Sequence, residues 1–379
     1  MRILYVSYND PYGVGGGSYA SHAYLKAFSM LSGGNIDIVI ADKCDETEDQ
    51  SIAYHALYKV PPRKKLEKIF SVVTGILHRY QRFVKQLLKQ EKYDYVVFSG
   101  SLMGTTLARE VKNNGFKLVT IHHNYEPEYF RDNFHKGLKK DIFISYVKKA
   151  EKSAYKNSDF NLFLTQSDMN YFKQVYGECQ GKSHLIATFE YADKTDDAYE
   201  KKLTDNHPLT FIITGSLNSE QGIDGVKYFF QELYDKLPKE CKIIIAGKSP
   251  SKELTDLCSF YNNVELIASP KDMDVILRKA DLYICPTRLG GGMKLRIMDG
   301  LKHGLPVITH RCSSRGYDLF FDSPAFKVFE SAEEFGAKID EIVIDRTVGN
   351  LSQKQVAKMY RQYFSLSSGC QRIQDALNS

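Results

Sequence analysis

The sequence predicts two doubly wound α/β units in tandem, and three observations lead there. Short runs rich in β-branched and aromatic residues alternate with longer helix-patterned stretches through the first half of the chain. The alternation stops in a polar, strand-poor segment at 191–208 and then starts again. Glycine-rich loops follow a strand in each half, and open parallel sheets bind ligands beyond the carboxyl ends of their strands. The 379 residues accommodate two domains of ordinary size, and 43% hydrophobic with 26% charged residues suits a folded chain with ample core.

Taken in order, segments 3–7, 36–41, 95–98, 117–121, 160–164 and 184–187 read as strands of a first parallel sheet, within a domain at 1–195. Segments 209–214, 242–246, 264–267, 282–285 and 306–309 read as strands of a second sheet, with helices at 226–237 and 272–280, within a domain at 205–350. Residues 351–379 read as a helical tail.

A net charge of +5 is too near balance for wholesale nucleic-acid binding, so no nucleic-acid partner is expected. Seven scattered cysteines with no C-x-x-C pair suit a reducing compartment and leave no zinc ribbon. The first apolar run turns polar by Asn9, too short for a signal-peptide core or a membrane span. A cytoplasmic protein is expected, with any membrane contact peripheral.

After the first strand come Gly13, Gly15, Gly16, Gly17 and Ser18, then an apolar helical pattern. Glycines admit a phosphate close to the backbone, and a helix start offers unpaired N–H groups. A flexible loop explains the same glycines equally well. Ser18 stands where a dinucleotide fingerprint needs its third glycine, although Asp42 at the end of the second strand keeps an NAD reading open.

The stretch 285–309 is more informative: strand, the glycine loop Gly290-Gly291-Gly292-Met293, a basic helix start with Lys294 and Arg296, a glycine stop, and the next strand. The loop amides and the first helical turn form a cradle for a diphosphate, to which the two cations bring positive charge. Asp299 on the same helix suits the paired hydroxyls of a ribose.

This stretch resembles the C-terminal signature of the retaining GT-B glycosyltransferases of group 1, family 4, in the branch with a glycine-lysine loop followed by an acid and then G-x-P-V-I. Gly16-Gly17, 154–168 and 211–217 resemble further parts of that family in the right order. The resemblance implies a GT-B fold, two Rossmann-like domains facing an interdomain cleft. It puts Asp299 at the second acid of the E-x7-E motif, the ribose ligand, and donor contacts at Gly16, Gly17, Gly215, Ser216, Gly291, Gly292, Met293 and Lys294. The first acid of the motif falls at Gly291, and Ser216 and Gln221-Gly222 occupy the region of the usual basic pair, so leaving-group stabilisation shifts to Lys294, Arg296 and loop amides. After the strand at 117–121, either His122 or His123 matches the histidine that faces the donor sugar, with His123 favoured. Adjacent side chains on an extended segment point opposite ways, so one of them faces the site.

The implied activity is metal-independent transfer of a sugar from a nucleoside diphosphate sugar, UDP- or GDP-linked, to a glycan or lipid-linked glycan, with no separate cofactor. A catalytically degenerate subunit and a GT-B sugar-nucleotide epimerase are the rival readings. Glu126, Glu128 and His135 match no metal-ligand spacing. Asp272 and Asp274, a D-x-D, open a helix and read as a cap. Segment 59–92 carries ten basic residues against Glu67 and Glu91, with apolar residues at helical spacing; it reads as a surface for an anionic membrane or as an ordinary helix with a solvated basic face.

Overall fold

The computed structural model describes residues 1–8, 10–13, 16–41, 49–61, 78–133, 138–192, 208–347 and 352–379. The chain divides into two compact units, Met1–Asp193 with Phe364–Ser379, and Lys194–Tyr363. Each contains one parallel sheet.

The first unit runs β1 (Ile3–Ser7), α1 (Gly16–Ser32), β2 (Ile36–Ala41), β3 (Ala56–Val60), α2 (His78–Gln90), β4 (Tyr95–Ser99), α3 (Leu107–Asn113), β5 (Lys117–His122), α4 (Glu126–Asn133), α5 (Leu138–Asn157), β6 (Phe160–Phe163), α6 (Gln166–Tyr176) and β7 (Lys182–Leu185). Its sheet order is β3-β2-β1-β4-β5-β6-β7, every pair parallel. Strands such as Ile3–Ser7 are buried along their whole length because helices cover both faces, which is why they read as continuous apolar runs.

The second unit runs β8 (Leu209–Ser216), α7 (Glu220–Tyr228), β9 (Cys241–Lys248), α8 (Lys252–Ser259), β10 (Val264–Ala268), α9 (Met273–Leu277), β11 (Leu282–Cys285), α10 (Arg296–Lys302), β12 (Val307–His310), β13 (Phe326–Phe329), α11 (Ala332–Thr347) and α12 (Gln353–Phe364). Its order is β10-β9-β8-β11-β12-β13. In both sheets the strand order reverses once, between β1 and β4 and between β8 and β11. Those switch points open a crevice at the carboxyl ends of the strands, where ligands of such folds sit.

Two strands escape the sequence reading. β3 (ALYKV) and β13 (FKVF) lie at sheet edges and are only partly buried, so they lack the apolar run that marks central strands. The helix expected at 226–237 begins earlier, at Glu220, where the Ser219 hydroxyl accepts from the amide of Gly222. The tail expected at 351–379 divides. Its last helix, α13 (Leu366–Asn378), joins the first unit, where Leu366, Ile373 and Ala376 pack in the core with Ala20 and Tyr24 of α1. Gly369 permits this contact, because a Cβ there would lie 2.2 Å from the Phe189 ring.

Candidate active site

In the second unit the glycine loop leaves β11 at the switch point. Gly290 has φ +81° and Gly292 φ +70°, with Gly291 between them outside the left-handed region. Such alternation turns successive peptide planes into an anion-binding nest. Lys294 fixes its polarity. The lysine is 6% exposed, and its Nζ donates to Gly290 O, Gly291 O and Gln221 Oε1, each at 3.2 Å. The peptides are trans, so carbonyls drawn to the ammonium turn the Gly291 and Gly292 N–H groups to the opposite side. Those amides have no hydrogen-bond partner among the described residues. Burial lowers the Lys294 ammonium from 10.5 to about 8, with Arg296 and Arg315 adding to the depression.

The rest of the loop is held by its neighbours. Ser313 Oγ donates to Thr287 O (2.6 Å), Tyr317 OH to Lys294 O (2.8 Å) and Cys312 Sγ to Gly290 O (3.3 Å). Arg296 donates to Thr287 Oγ1 at 3.3 Å. A Cβ on Gly215, at the end of β8, would lie 2.6 Å from the Arg296 guanidinium, so the glycine lets the cation reach the switch point. Arg288, by contrast, is committed to Asp224 through two hydrogen bonds of 3.0 and 3.1 Å and lies over the Tyr228 ring. No carboxylate pairs with Lys294, Arg296 or Arg315 among the described residues.

The cradle therefore differs in mechanism from the sequence expectation. α10 starts only at Arg296, spans seven residues and has no side-chain cap, so its dipole adds little beside the nest and the cations. Asp299 lies on it, exposed. Ser216 is also exposed, its hydroxyl donating to Asn218 Oδ1. Gln221, at the place of the expected basic pair, accepts from Lys294 instead. Arg315, in the loop after β12, carries no sequence signal that would have singled it out, because it reaches the nest from more than twenty residues downstream.

In the first unit the structure separates the two histidines. His122 closes β5 fully buried, stacked on Phe163 at 4.8 Å, with Nε2 2.9 Å from Asn161 Oδ1. His123 is at the switch point, Nε2 3.2 Å from Ser99 Oγ at the end of β4 and its ring edge-on to Tyr24 of α1. Burial pulls both imidazoles down to about 4, so both are neutral at pH 7. Gly16 and Gly17 begin α1. Asp42 lies outside the described residues.

Glu126 and Glu128 open α4, while His135 lies outside the described residues. Burial, then Asp168, raises the Glu126 carboxyl to about 8. Among the described residues no group of three His, Cys, Asp or Glu side chains is arranged to hold a metal ion. Asp272 Oδ1 accepts from the amides of Asp274 (2.9 Å) and Val275 (3.3 Å), the capping role expected of it.

Of the basic segment 59–92, residues 62–77 lie outside the described residues. In α2 the apolar stripe Tyr80, Val84, Leu87 and Leu88 packs in the core with Val60, Phe98 and Leu107. That face is unavailable to a membrane, and the exposed charges among the described residues of the segment are Lys59, Arg82, Lys89 and Lys92 with the acidic Glu91. No described helix is long and apolar enough to cross a membrane.

Two doubly wound parallel units, the second carrying a cation-lined glycine nest at its switch point, define a protein of GT-B architecture. Residues 208–345 match the family model described as glycosyl transferases group 1. Over the whole chain the fold is shared with HepE of Anabaena in complex with UDP (TM-score 0.70, 13% identity, all of both chains covered). It is likewise similar to sucrose-phosphate synthase of Thermosynechococcus elongatus (TM-score 0.72, 13% identity, 100% of this chain and 98% of that one). A third similar structure is the lipopolysaccharide outer core galactosyltransferase WaaB in apo form (TM-score 0.69, 11% identity, 100% and 99%). No curated protein matches the sequence.

Proposed function

We propose that the chain is a metal-independent hexosyltransferase that moves a sugar from a UDP- or GDP-linked donor to a hydroxyl of a glycan or lipid-linked glycan, with retention at the anomeric carbon. Surface polysaccharide or glycoconjugate synthesis is the setting that suits such an acceptor. The observation that carries the reading is the nest: two outward amides, a lysine locked beneath them and an unpaired Arg296, inside a domain that matches group 1 glycosyltransferases. UDP occupies one similar structure, and another is a lipopolysaccharide outer core galactosyltransferase.

As the bond between anomeric carbon and phosphate oxygen breaks, negative charge grows on the departing diphosphate. The nest amides and Arg296 are oriented for that charge before the reaction begins, and Lys294 fixes the nest's polarity from beneath and adds its charge from there, so little reorganisation is needed. Asp299 anchors the ribose by accepting from its hydroxyls. Gly16 and Gly17 give the donor phosphates close backbone approach, and Gly215, Ser216 and Met293 complete the donor contacts. His123, neutral at pH 7, orients the sugar through a hydrogen bond rather than through a full positive charge. His122 supports the end of β5 from within its aromatic cluster. No disulfide joins the described cysteines, in keeping with work in the reducing cytoplasm. The basic face of α2 offers an electrostatic contact to the inner face of an anionic membrane.

Calorimetric titration with UDP and GDP, followed by turnover of nucleotide sugars with and without an acceptor, tests the reading. Binding of one nucleoside diphosphate and acceptor-dependent release of it are expected. No binding of either points to a degenerate subunit, and conversion without acceptor to an epimerase.

A further inference from the structure

The loop after β12 is bonded to both flanks of the nest, with Arg315 between the two attachment points. Two residues before it, Ser313 Oγ donates to Thr287 O (2.6 Å); two residues after it, Tyr317 OH donates to Lys294 O (2.8 Å). Ser313 and Tyr317 are fully buried. They hold the Arg315 backbone beside the nest, and its guanidinium lies 3.8 Å from the point a Cβ on Gly291 would occupy. Half-buried, the side chain makes no hydrogen bond or ion pair among the described residues. It is close enough to Lys294 to help lower that ammonium.

An anion on the Gly291 and Gly292 amides is held more strongly where positive side chains add N–H donors of their own. Lys294 has three ammonium protons, and Gly290 O, Gly291 O and Gln221 Oε1 accept them from beneath. Its charge reaches the anion, but its N–H groups are occupied. Arg288 is committed to Asp224 through two hydrogen bonds. Arg296 gives one N–H to Thr287 Oγ1 and has no carboxylate partner among the described residues. Arg296 and Arg315 therefore keep guanidinium N–H groups that can meet an anion on the nest. Two unpaired guanidinium groups and an ammonium around one loop repel one another, and an anion seated among them relieves that repulsion.

We infer that Arg315 is a second guanidinium ligand of the donor's diphosphate, binding, together with Arg296, the anion that rests on the nest. Its planar fork suits paired phosphate oxygens. The inference rests on the glycosyltransferase reading and adds to that same site a binding residue that no local motif marks.

The test is calorimetric titration of UDP, GDP, UDP-glucose and GDP-mannose, with inorganic pyrophosphate as the diphosphate alone, against the natural chain, Arg315→Gln and Arg315→Lys. Arg315→Gln should weaken the preferred nucleoside diphosphate, its nucleotide sugar and pyrophosphate by a similar factor, about tenfold or more. Arg315→Lys should recover part of the loss, because the charge returns without the fork. Both variants should melt within a few degrees of the natural chain, since the side chain has no described contact to lose. A much larger drop in melting temperature would mark a structural arginine and overturn the inference. Unchanged affinity for the nucleoside diphosphate and pyrophosphate in Arg315→Gln overturns it too, and leaves the glycosyltransferase reading intact. A loss confined to the nucleotide sugar would make Arg315 a sugar ligand, and a loss that spares pyrophosphate would assign it to the nucleoside; either result also overturns it. If the natural chain binds pyrophosphate but neither UDP nor GDP, the glycosyltransferase reading falls, while a weaker pyrophosphate site in Arg315→Gln keeps Arg315 on the diphosphate. No binding of any of the three removes both.

Discussion

Titration of Lys294 should make nucleoside diphosphate affinity fall as pH rises above 8. Its ammonium holds two carbonyls and the Gln221 amide oxygen beneath the nest, and burial lowers it from 10.5 to about 8. If only the protonated form holds the nest and its charge, the competent fraction drops about 30-fold between pH 7 and 9.5, and affinity drops with it. Stability should move the other way. A lysine lowered on folding leaves the unfolded chain binding more protons between pH 8 and 10.5, so its burial penalty, about 3 kcal/mol below pH 8, is relieved as pH rises. Opposite trends separate loss of binding from unfolding. In Lys294→Met the penalty disappears while three acceptors lose their donor at about 1 kcal/mol or more each, so the melting temperature should shift by only a few degrees. Diphosphate affinity should fall about 100-fold, because the nest loses both the ammonium that fixes the direction of its amides and that ammonium's charge, and lose its dependence on alkaline pH. The assay is calorimetry with UDP and GDP from pH 7 to 9.5, paired with thermal melts. Affinity flat across that range in the natural chain, or undiminished in Lys294→Met, would refute the role.

Gly215→Ala puts a methyl 2.6 Å from the Arg296 guanidinium at φ +158°; the flexible tip should swing away, costing about tenfold in diphosphate affinity, while the backbone strain lowers the melt through a loss of about 1–3 kcal/mol of stability. His122→Phe should cost about 1–3 kcal/mol by stranding the buried Asn161 amide, while turnover per folded molecule stays near normal. His123→Gln should instead lower kcat with a small change in melting temperature, and equal turnover in both variants would reverse the assignment. Asp299→Asn should weaken UDP or GDP binding about tenfold yet leave the affinity for the 2′-deoxy nucleotide almost unchanged, a comparison that calorimetry reads directly.

Much of this was legible along the chain. Central strands such as Ile3–Ser7 and Leu282–Cys285 announce themselves because a parallel strand buried on both faces must be apolar throughout. The glycine loop with Lys294, Arg296 and Asp299 was visible because its chemistry lies within ten residues. The edge strands Ala56–Val60 and Phe326–Phe329 were not, since their half-exposed residues include a lysine that breaks the run, whereas the edge strand Val264–Ala268 kept enough apolar residues to be read. The fate of the basic segment was also hidden: an apolar helical stripe looks the same whether it meets a membrane or a sheet, and in α2 it meets the sheet.

By itself the sequence determined what local order encodes: two α/β repeats, the glycine loop and the residue types that suit a diphosphate and a ribose. Only the tertiary structure decided which side of that loop Lys294 occupies, which of two adjacent histidines reaches the switch point, and that Arg315 belongs to the nest. Periodicity records which residues are buried, whereas the approach of a guanidinium from a distant loop depends on chain packing that no spacing expresses.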